Sequence, residues 1–239
     1  MENYIRDVIF EGKEDLYFEL DKLSENIKKI VLKKRPFLIE FTGTCRSGKS
    51  TSIELISDVL IKNGLKVLVV DEEYVGVTKD INHNRDKKMT TNSLDYTNNV
   101  IEEKISIYDE TIKEYYDIII YDRGINDEFV WLDIFDASID GIDRYDKRLS
   151  NRGMDLLVIM TCSVESSLKR KYLNSLSVLP SKWTNKETLE KYLFGLDRAE
   201  DYFDAHSKEI YKIETDEKDK ILVALDIANE IVKKLNNSR

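Results

Sequence analysis

Apolar residues follow two alternating rhythms along this chain. From residue 14 to 33, Leu16, Leu20, Leu23, Ile27 and Ile30 recur at spacings of four, three, four and three. That is the single stripe of an amphipathic helix. It runs into the basic stretch Lys28-Lys29 to Lys33-Lys34-Arg35, and Pro36 is its stop signal. The rhythm then changes to a short apolar run, Phe37-Leu38-Ile39-Glu40-Phe41, ending at Thr42-Gly43. We read it as a first buried strand.

The exchange of strand and helix repeats to the C-terminus. A helix is expected from Lys49, with Ile53, Ile56, Leu60 and Ile61 inward and Asn63-Gly64 as its end. Lys66-Val67-Leu68-Val69-Val70 reads as a second strand and ends in Asp71-Glu72-Glu73. A polar stretch from Val77 to Thr91 precedes a long expected helix over 92–116, with Ile101, Ile105, Tyr108, Ile112 and Tyr115 on one face. Asp117-Ile118-Ile119-Ile120-Tyr121 is the third strand, followed by Asp122-Arg123-Gly124. A helix is expected to begin at Phe129-Val130-Trp131-Leu132, a fourth strand covers Leu156 to Met160, and a helix follows from Val164. A helix over Glu187–Phe203, a fifth strand over Glu209–Ile213 and a helix over Lys218–Leu235 complete the pattern. Strands this continuously apolar are buried on both faces, so the alternation predicts a parallel sheet with helices on either side.

The 239 residues fit one α/β domain with an appended helix. The division expected is an N-terminal helical extension over 1–35 and a main domain over 36–239. Only 2 Pro and 9 Gly argue against disordered linkers and turn-rich all-β folds. A net charge of −9 disfavours nucleic acid as the main partner, because phosphate backbones attract basic surfaces. The two cysteines, Cys45 and Cys162, have no metal-ligand spacing and suit a reducing, cytoplasmic location. The first residues lack the features of a signal peptide, and no apolar run approaches membrane-spanning length, so no membrane association is expected.

The strongest chemical signal lies between the first strand and its helix. Gly43-Thr44-Cys45-Arg46-Ser47-Gly48-Lys49-Ser50 is an intact G-x-x-x-x-G-K-[ST] pattern, continued by Thr51. The two glycines allow backbone angles that a Cβ forbids. The loop N–H groups and the helix N-terminus then face phosphate oxygens. Lys49 can neutralise the β and γ phosphates, and the Ser50 hydroxyl can join a Mg²⁺ shell. The cofactors expected are therefore ATP and Mg²⁺.

In an open parallel sheet, ligands gather at the carboxyl ends of the strands. Asp122 stands there after the third strand and is a second candidate for Mg²⁺. Asp71, Glu72 and Glu73 follow the second strand, and one of them could accept the proton of an attacking hydroxyl. Glu72 is favoured, with Asp71 second. Phosphoryl transfer also recruits cations, and Arg46 in the loop and Arg123 beside Asp122 are the candidates whose neighbours fix their location. Lys169, Arg170 and Lys171 lie near an expected lid, and Arg144, Lys147, Arg148 and Arg152 form a further cluster. His83 and His206 have no partner pattern and read as surface residues.

With these motifs in hand, the chain resembles the thymidylate kinase and deoxynucleoside kinase group of P-loop kinases, from about Phe37 to the C-terminus. Thr42 to Thr51 looks like the thymidylate kinase loop, with an Arg at the position of Arg46 but Cys45 where an Asp is usual. Asp122-Arg123-Gly124 looks like the family's Asp/Glu-Arg motif, in which the acid serves Mg²⁺ and the Arg contacts phosphate or polarises the acceptor. The acidic end of the second strand resembles the family's base-bearing site, although Tyr74 replaces the Pro common after it. The resemblance implies a P-loop NTPase fold of three α/β/α layers, with a five-stranded parallel sheet in the order 2-3-1-4-5 and helices on both faces. It implies an ATP- and Mg²⁺-dependent phosphotransferase acting on a nucleoside or nucleoside monophosphate, and a homodimer. The alternatives are a P-loop kinase of another small hydroxyl compound, as in toxin-like or antibiotic-modifying enzymes, and a non-catalytic nucleotide-binding module. A polynucleotide kinase is disfavoured by the acidic charge.

Overall fold

A computed structural model describes residues 13–30, 36–70, 104–106, 108–110, 116–134, 153–173, 185–199, 202–204, 207 and 209–237. In chain order the elements are α1 (Glu14–Ile30), β1 (Phe37–Gly43), α2 (Lys49–Lys62), β2 (Val67–Val70), β3 (Ile118–Asp122), α3 (Ile125–Ile134), β4 (Leu156–Thr161), α4 (Val164–Leu173), α5 (Lys186–Arg198), β5 (Ile210–Glu214) and α6 (Lys220–Asn237). Residues 104–106 and 108–110 are also helical.

The five strands form one parallel sheet in the order β2-β3-β1-β4-β5, as the resemblance implies. β1 is central and wholly buried. Because successive strand residues face opposite sides, β1 feeds two cores. Phe37, Ile39 and Phe41 join Ile118, Ile120, Leu156 and Val158 against α1, α2 and α6, including Leu20, Ile56 and Ile227. On the other side, Leu38 packs with Tyr108, Ile119 and Tyr121, while Leu157 and Ile159 meet Trp131 of α3 and Tyr192 of α5. The sheet thus lies between two helical layers, the arrangement that continuous apolar strands demand.

The alternation also sends two polar β1 side chains, Glu40 and Thr42, to the α3 side, where both are buried and bond with groups of the α3 segment. Glu40 explains why α3 starts at Ile125, four residues before the start expected from the apolar run. Its carboxylate accepts the Asp127 backbone N–H at 3.1 Å and Asn126 Nδ2 at 2.8 Å. A side chain from a neighbouring strand therefore caps the first turn, and that turn is polar in sequence.

α1, expected as an extension, lies against α2 and α6 and contributes the fully buried Leu20 and Ile27 to the first core. Asn63 at the end of α2 donates to Asp21 Oδ1 at 3.0 Å, and Lys13 pairs with Asp219. α5 stops at Arg198, where the Ala199 N–H bonds back to Gly195 O, and residues 202–204, within the span expected for this helix, are helical again. No helix among the described residues is long and apolar enough to cross a membrane.

Candidate active site

The register of the sheet decides what can meet at its carboxyl edge. Phe41 pairs with Asp122 and Gly43 with Met160, so β1 and β3 end side by side as the chain leaves β1 for the loop. Gly43 has φ +132°, and a Cβ built there would lie 1.8 Å from the Met160 carbonyl oxygen, so only glycine fits. Gly48 (φ +96°) turns the chain into α2, whose N-terminus has no side-chain cap. Its first backbone N–H groups are the kind that receive anions.

Lys49 is buried and folds back over the loop. Its ammonium donates to Gly43 O at 2.8 Å, Thr44 O at 2.7 Å and Ser47 Oγ at 3.5 Å. Burial pulls its pKa down to about 8, with the Arg123 guanidinium acting in the same direction and the Asp127 and Asp122 carboxylates opposing. Ser50 Oγ donates to Asp122 Oδ2 at 2.9 Å across 72 positions of sequence. Two adjacent hard oxygens at the open end of a sheet fit Mg²⁺, which accepts one or two protein oxygens and keeps several waters. Among the described residues no group of three or more metal-ligating side chains exists.

Arg46 and Arg123 share an uncommon feature. They have φ of +61° and +63°, and among the described residues they alone of the non-glycines lie in the left-handed region. Such a conformation costs roughly 1–3 kcal/mol and persists only where surroundings enforce it. For Arg46 the enforcement comes from α4. Arg170 Nη1 donates to Arg46 O at 3.0 Å, and its other amino group donates to Thr215 O and Asp216 O. Thr215 Oγ1 in turn donates to Ser47 O at 2.8 Å. Arg170 was a sequence candidate for the lid, and here its guanidinium fastens the loop to the end of β5. Arg46 Nε is buried and has no hydrogen-bond partner among the described residues.

Arg123 points its guanidinium towards the loop, with Nη2 3.4 Å from Cys45 Sγ and Nη1 3.4 Å from Asp127 Oδ2. Asp127 is a hub. It accepts from Thr42 Oγ1 at 2.7 Å, from Trp131 Nε1 at 3.0 Å and from the Tyr192 hydroxyl. Burial pushes its carboxyl up, but Arg123, Lys104 and the two hydroxyls more than offset this and leave it at about 2. Burial also raises Glu40, to about 7, against the lowering effects of Asn126, Lys104 and the Asp127 N–H.

A cleft of about 960 Å³ opens over this edge, walled by Arg46, Lys49, Ser50, Asp122, Arg123 and Arg170. Ser47, Gly48 and Thr51 also face it. Gly43, Thr44 and Cys45 form the base of the loop instead. The Thr44 side chain turns to β4, accepting the Cys162 N–H at 3.0 Å. The structure therefore brings Arg46, Lys49, Ser50, Asp122 and Arg123 together, while Asp71 and Glu72 lie outside the described residues. The clusters at 144–152 and both histidines lie outside them as well.

Sequence reasoning missed Glu40, Lys104, Asp127, Arg170 as a clamp, and Tyr192. Two signals were available. Glu40 is a charge inside an apolar strand, and Arg123 and Asp127 stand four apart, as an ion pair on a helix would.

No protein-family model and no curated protein sequence matches the chain. Among solved structures it is similar to a deoxyadenosine kinase from M. mycoides with products dCMP and a flexible dCDP bound, at a TM-score of 0.56 and 14% identity. The likeness covers 84% of this chain and 100% of that one. The likeness is one of fold: a five-stranded parallel sheet in the order 2-3-1-4-5 with helices on both faces, as in P-loop kinases.

Proposed function

We propose that this chain is an ATP- and Mg²⁺-dependent phosphotransferase whose acceptor is a nucleoside or nucleoside monophosphate. One observation carries the reading. Lys49, Arg46 and Arg123 converge with the Ser50–Asp122 oxygen pair on a single cleft at the carboxyl edge of the sheet. Transfer of a phosphoryl group needs little covalent help and much electrostatic help, since its transition state spreads charge over the moving oxygens. Three cations and an uncapped helix N-terminus supply that help here. The similar fold belongs to a protein bound to dCMP and dCDP, which favours a nucleoside-type acceptor over other small hydroxyl compounds.

In this reading the loop N–H groups and Lys49 hold the β and γ phosphates. Mg²⁺, held by Ser50 and Asp122, neutralises phosphate charge when bound. The acceptor hydroxyl oxygen forms a bond to the γ phosphorus as the bond to the β–γ bridging oxygen breaks, and ADP leaves with that electron pair. The hydroxyl proton passes to a carboxylate, for which Glu72 and then Asp71 are the candidates. Arg46 and Arg123 stabilise the charge on the moving group, and their fixed backbones spare the cost of reorganising at that moment.

The test is ADP release from ATP·Mg²⁺ across a panel of nucleosides and nucleoside monophosphates, with Lys49→Ala as control. Stimulation by one acceptor, lost in the control, is the expected result. A panel that leaves turnover at background would move the acceptor outside nucleosides and contradict the reading.

A further inference from the structure

Lys104 does not face the cleft. Its side chain is 13% exposed, and its ammonium meets three acceptors: Arg123 O at 2.8 Å, Gly124 O at 3.1 Å and Glu128 Oε1 at 2.6 Å. An ammonium has three N–H donors, so the whole of its bonding capacity goes to the segment that follows β3. Two of the three bonds go to backbone, and to one turn.

That turn is the strained one. The Arg123 N–H still bonds to Phe41 O at 2.9 Å, which extends the sheet ladder by one residue. The left-handed φ of +63° then diverts the chain and takes the Arg123 carbonyl out of the ladder. A half-buried carbonyl without a donor is costly, and Lys104 supplies the donor. The turn is gripped from a second direction by Glu40. A Cβ at Gly124 would stand 2.6 Å from the Glu40 carboxyl carbon, and Glu40 is itself fixed by Asn126 Nδ2 and the Asp127 N–H. Between these two grips the only long side chain is that of Arg123, whose guanidinium reaches the phosphate loop at Cys45.

We propose that Lys104 is a positioning residue for Arg123, holding the Arg123–Gly124 turn in the left-handed conformation that aims the guanidinium at the phosphate loop. The conformational part stands on the bonds above. The catalytic consequence rests on the phosphotransfer reading. An Arg that stabilises a transition state must be placed to within a fraction of an ångström, and a misplacement of about 1 Å costs on the order of 100-fold in rate.

The test uses the full chain with Lys104→Met, Glu128→Gln and the double variant. Glu128→Gln removes the ion pair but leaves Lys104 on both carbonyls. The double variant removes the buried carboxylate that Lys104→Met alone would orphan, so it remains measurable if the single variant folds poorly. Two quantities are read: amide exchange at Arg123 without any ligand, against Ile39 and Ile120 as core references, and kcat with the KM for ATP. We expect Arg123 exchange roughly 10-fold faster in Lys104→Met and in the double variant, with the core references unchanged. kcat should fall on the order of 100-fold while the KM for ATP stays within about twofold. Glu128→Gln should resemble the wild type in both. Unchanged exchange at Arg123 in a folded Lys104 variant would overturn the proposal. So would equal losses of kcat in Glu128→Gln and Lys104→Met, which would assign the effect to the ion pair. If the wild type transfers phosphate to no acceptor, the functional reading fails, and exchange at Arg123 still decides the role of Lys104.

Discussion

Lys49 rests on the Gly43 and Thr44 carbonyls, so on the proposed reading it greets a nucleotide by exchanging those acceptors for phosphate oxygens. Burial and Arg123 hold it near 8 without nucleotide, and phosphate charge beside it would favour the protonated form. Nucleotide binding at pH 8.5 should then take up roughly three-quarters of a proton, and affinity should fall towards tenfold per pH unit at higher pH. Calorimetry at pH 8.5 in buffers of different ionisation enthalpy measures the uptake. Lys49→Arg, which stays charged, should lose it, and equal uptake in that variant would contradict the assignment. Glu40 behaves in the opposite sense to most carboxylates. Its value is raised from 4.5 to about 7 in the folded chain, so the folded state retains a proton that the unfolded state has released. Its contribution to stability is fully present below pH 4.5 and is lost as pH rises to 7, a change of roughly 3 kcal/mol. Chemical denaturation of wild type and Glu40→Gln from pH 4.5 to 8 tests this. The variant should gain on the wild type across that window, and parallel curves would contradict it.

At the scale of elements, the loop is a junction of four pieces: β1, α2, α4 and the end of β5. Arg170, on α4, ties the loop to the end of β5, through Arg46 O, Thr215 O and Asp216 O. Arg170→Ala leaves these carbonyls without their charged donor, at a cost of roughly 1.5–3 kcal/mol per bond to a charged group before water compensates. We expect amide exchange at Ser47 and Gly48 to quicken and nucleotide affinity to drop, with Arg170→Lys, a single-point donor, intermediate. A loop as protected as in the wild type would contradict the clamp. The elements themselves were largely legible in the sequence, because continuous strands and striped helices declare their burial, and Lys49, Ser50 and Asp122 sit at fixed offsets from strand ends. The order of the strands came from the resemblance, not from the pattern. What the pattern hid is what supports the arginines. Glu40, Lys104, Asp127, Arg170 and Tyr192 belong to different elements and meet only once the sheet and helices have packed. The polar first turn of α3 was equally hidden, because its cap comes from β1.

For the molecule as a whole, the question is what α1 adds. Leu20 and Ile27 are fully buried in the core shared with α2 and α6, so α1 should unfold together with the sheet. Leu20→Ala should cost roughly 2–5 kcal/mol in a single urea transition, as large-to-small core changes do. A separate early transition, or a loss under about 0.5 kcal/mol, would mark α1 as an independent appendage. The acidic whole, at a net charge of −9, surrounds a cleft walled by Arg46, Lys49, Arg123 and Arg170, a contrast that concentrates attraction for polyphosphate at one place. If the chain is a phosphotransferase, the terminal phosphate of ATP must reach the acceptor. The decisive measurement is ³¹P NMR of ATP·Mg²⁺ with the best nucleoside or nucleoside monophosphate acceptor, run with wild type and with Lys49→Ala. A phosphorylated acceptor should appear in step with ADP in the wild type and be absent in the variant. Inorganic phosphate as the sole product, or the same phosphorylated acceptor in both proteins, would contradict it.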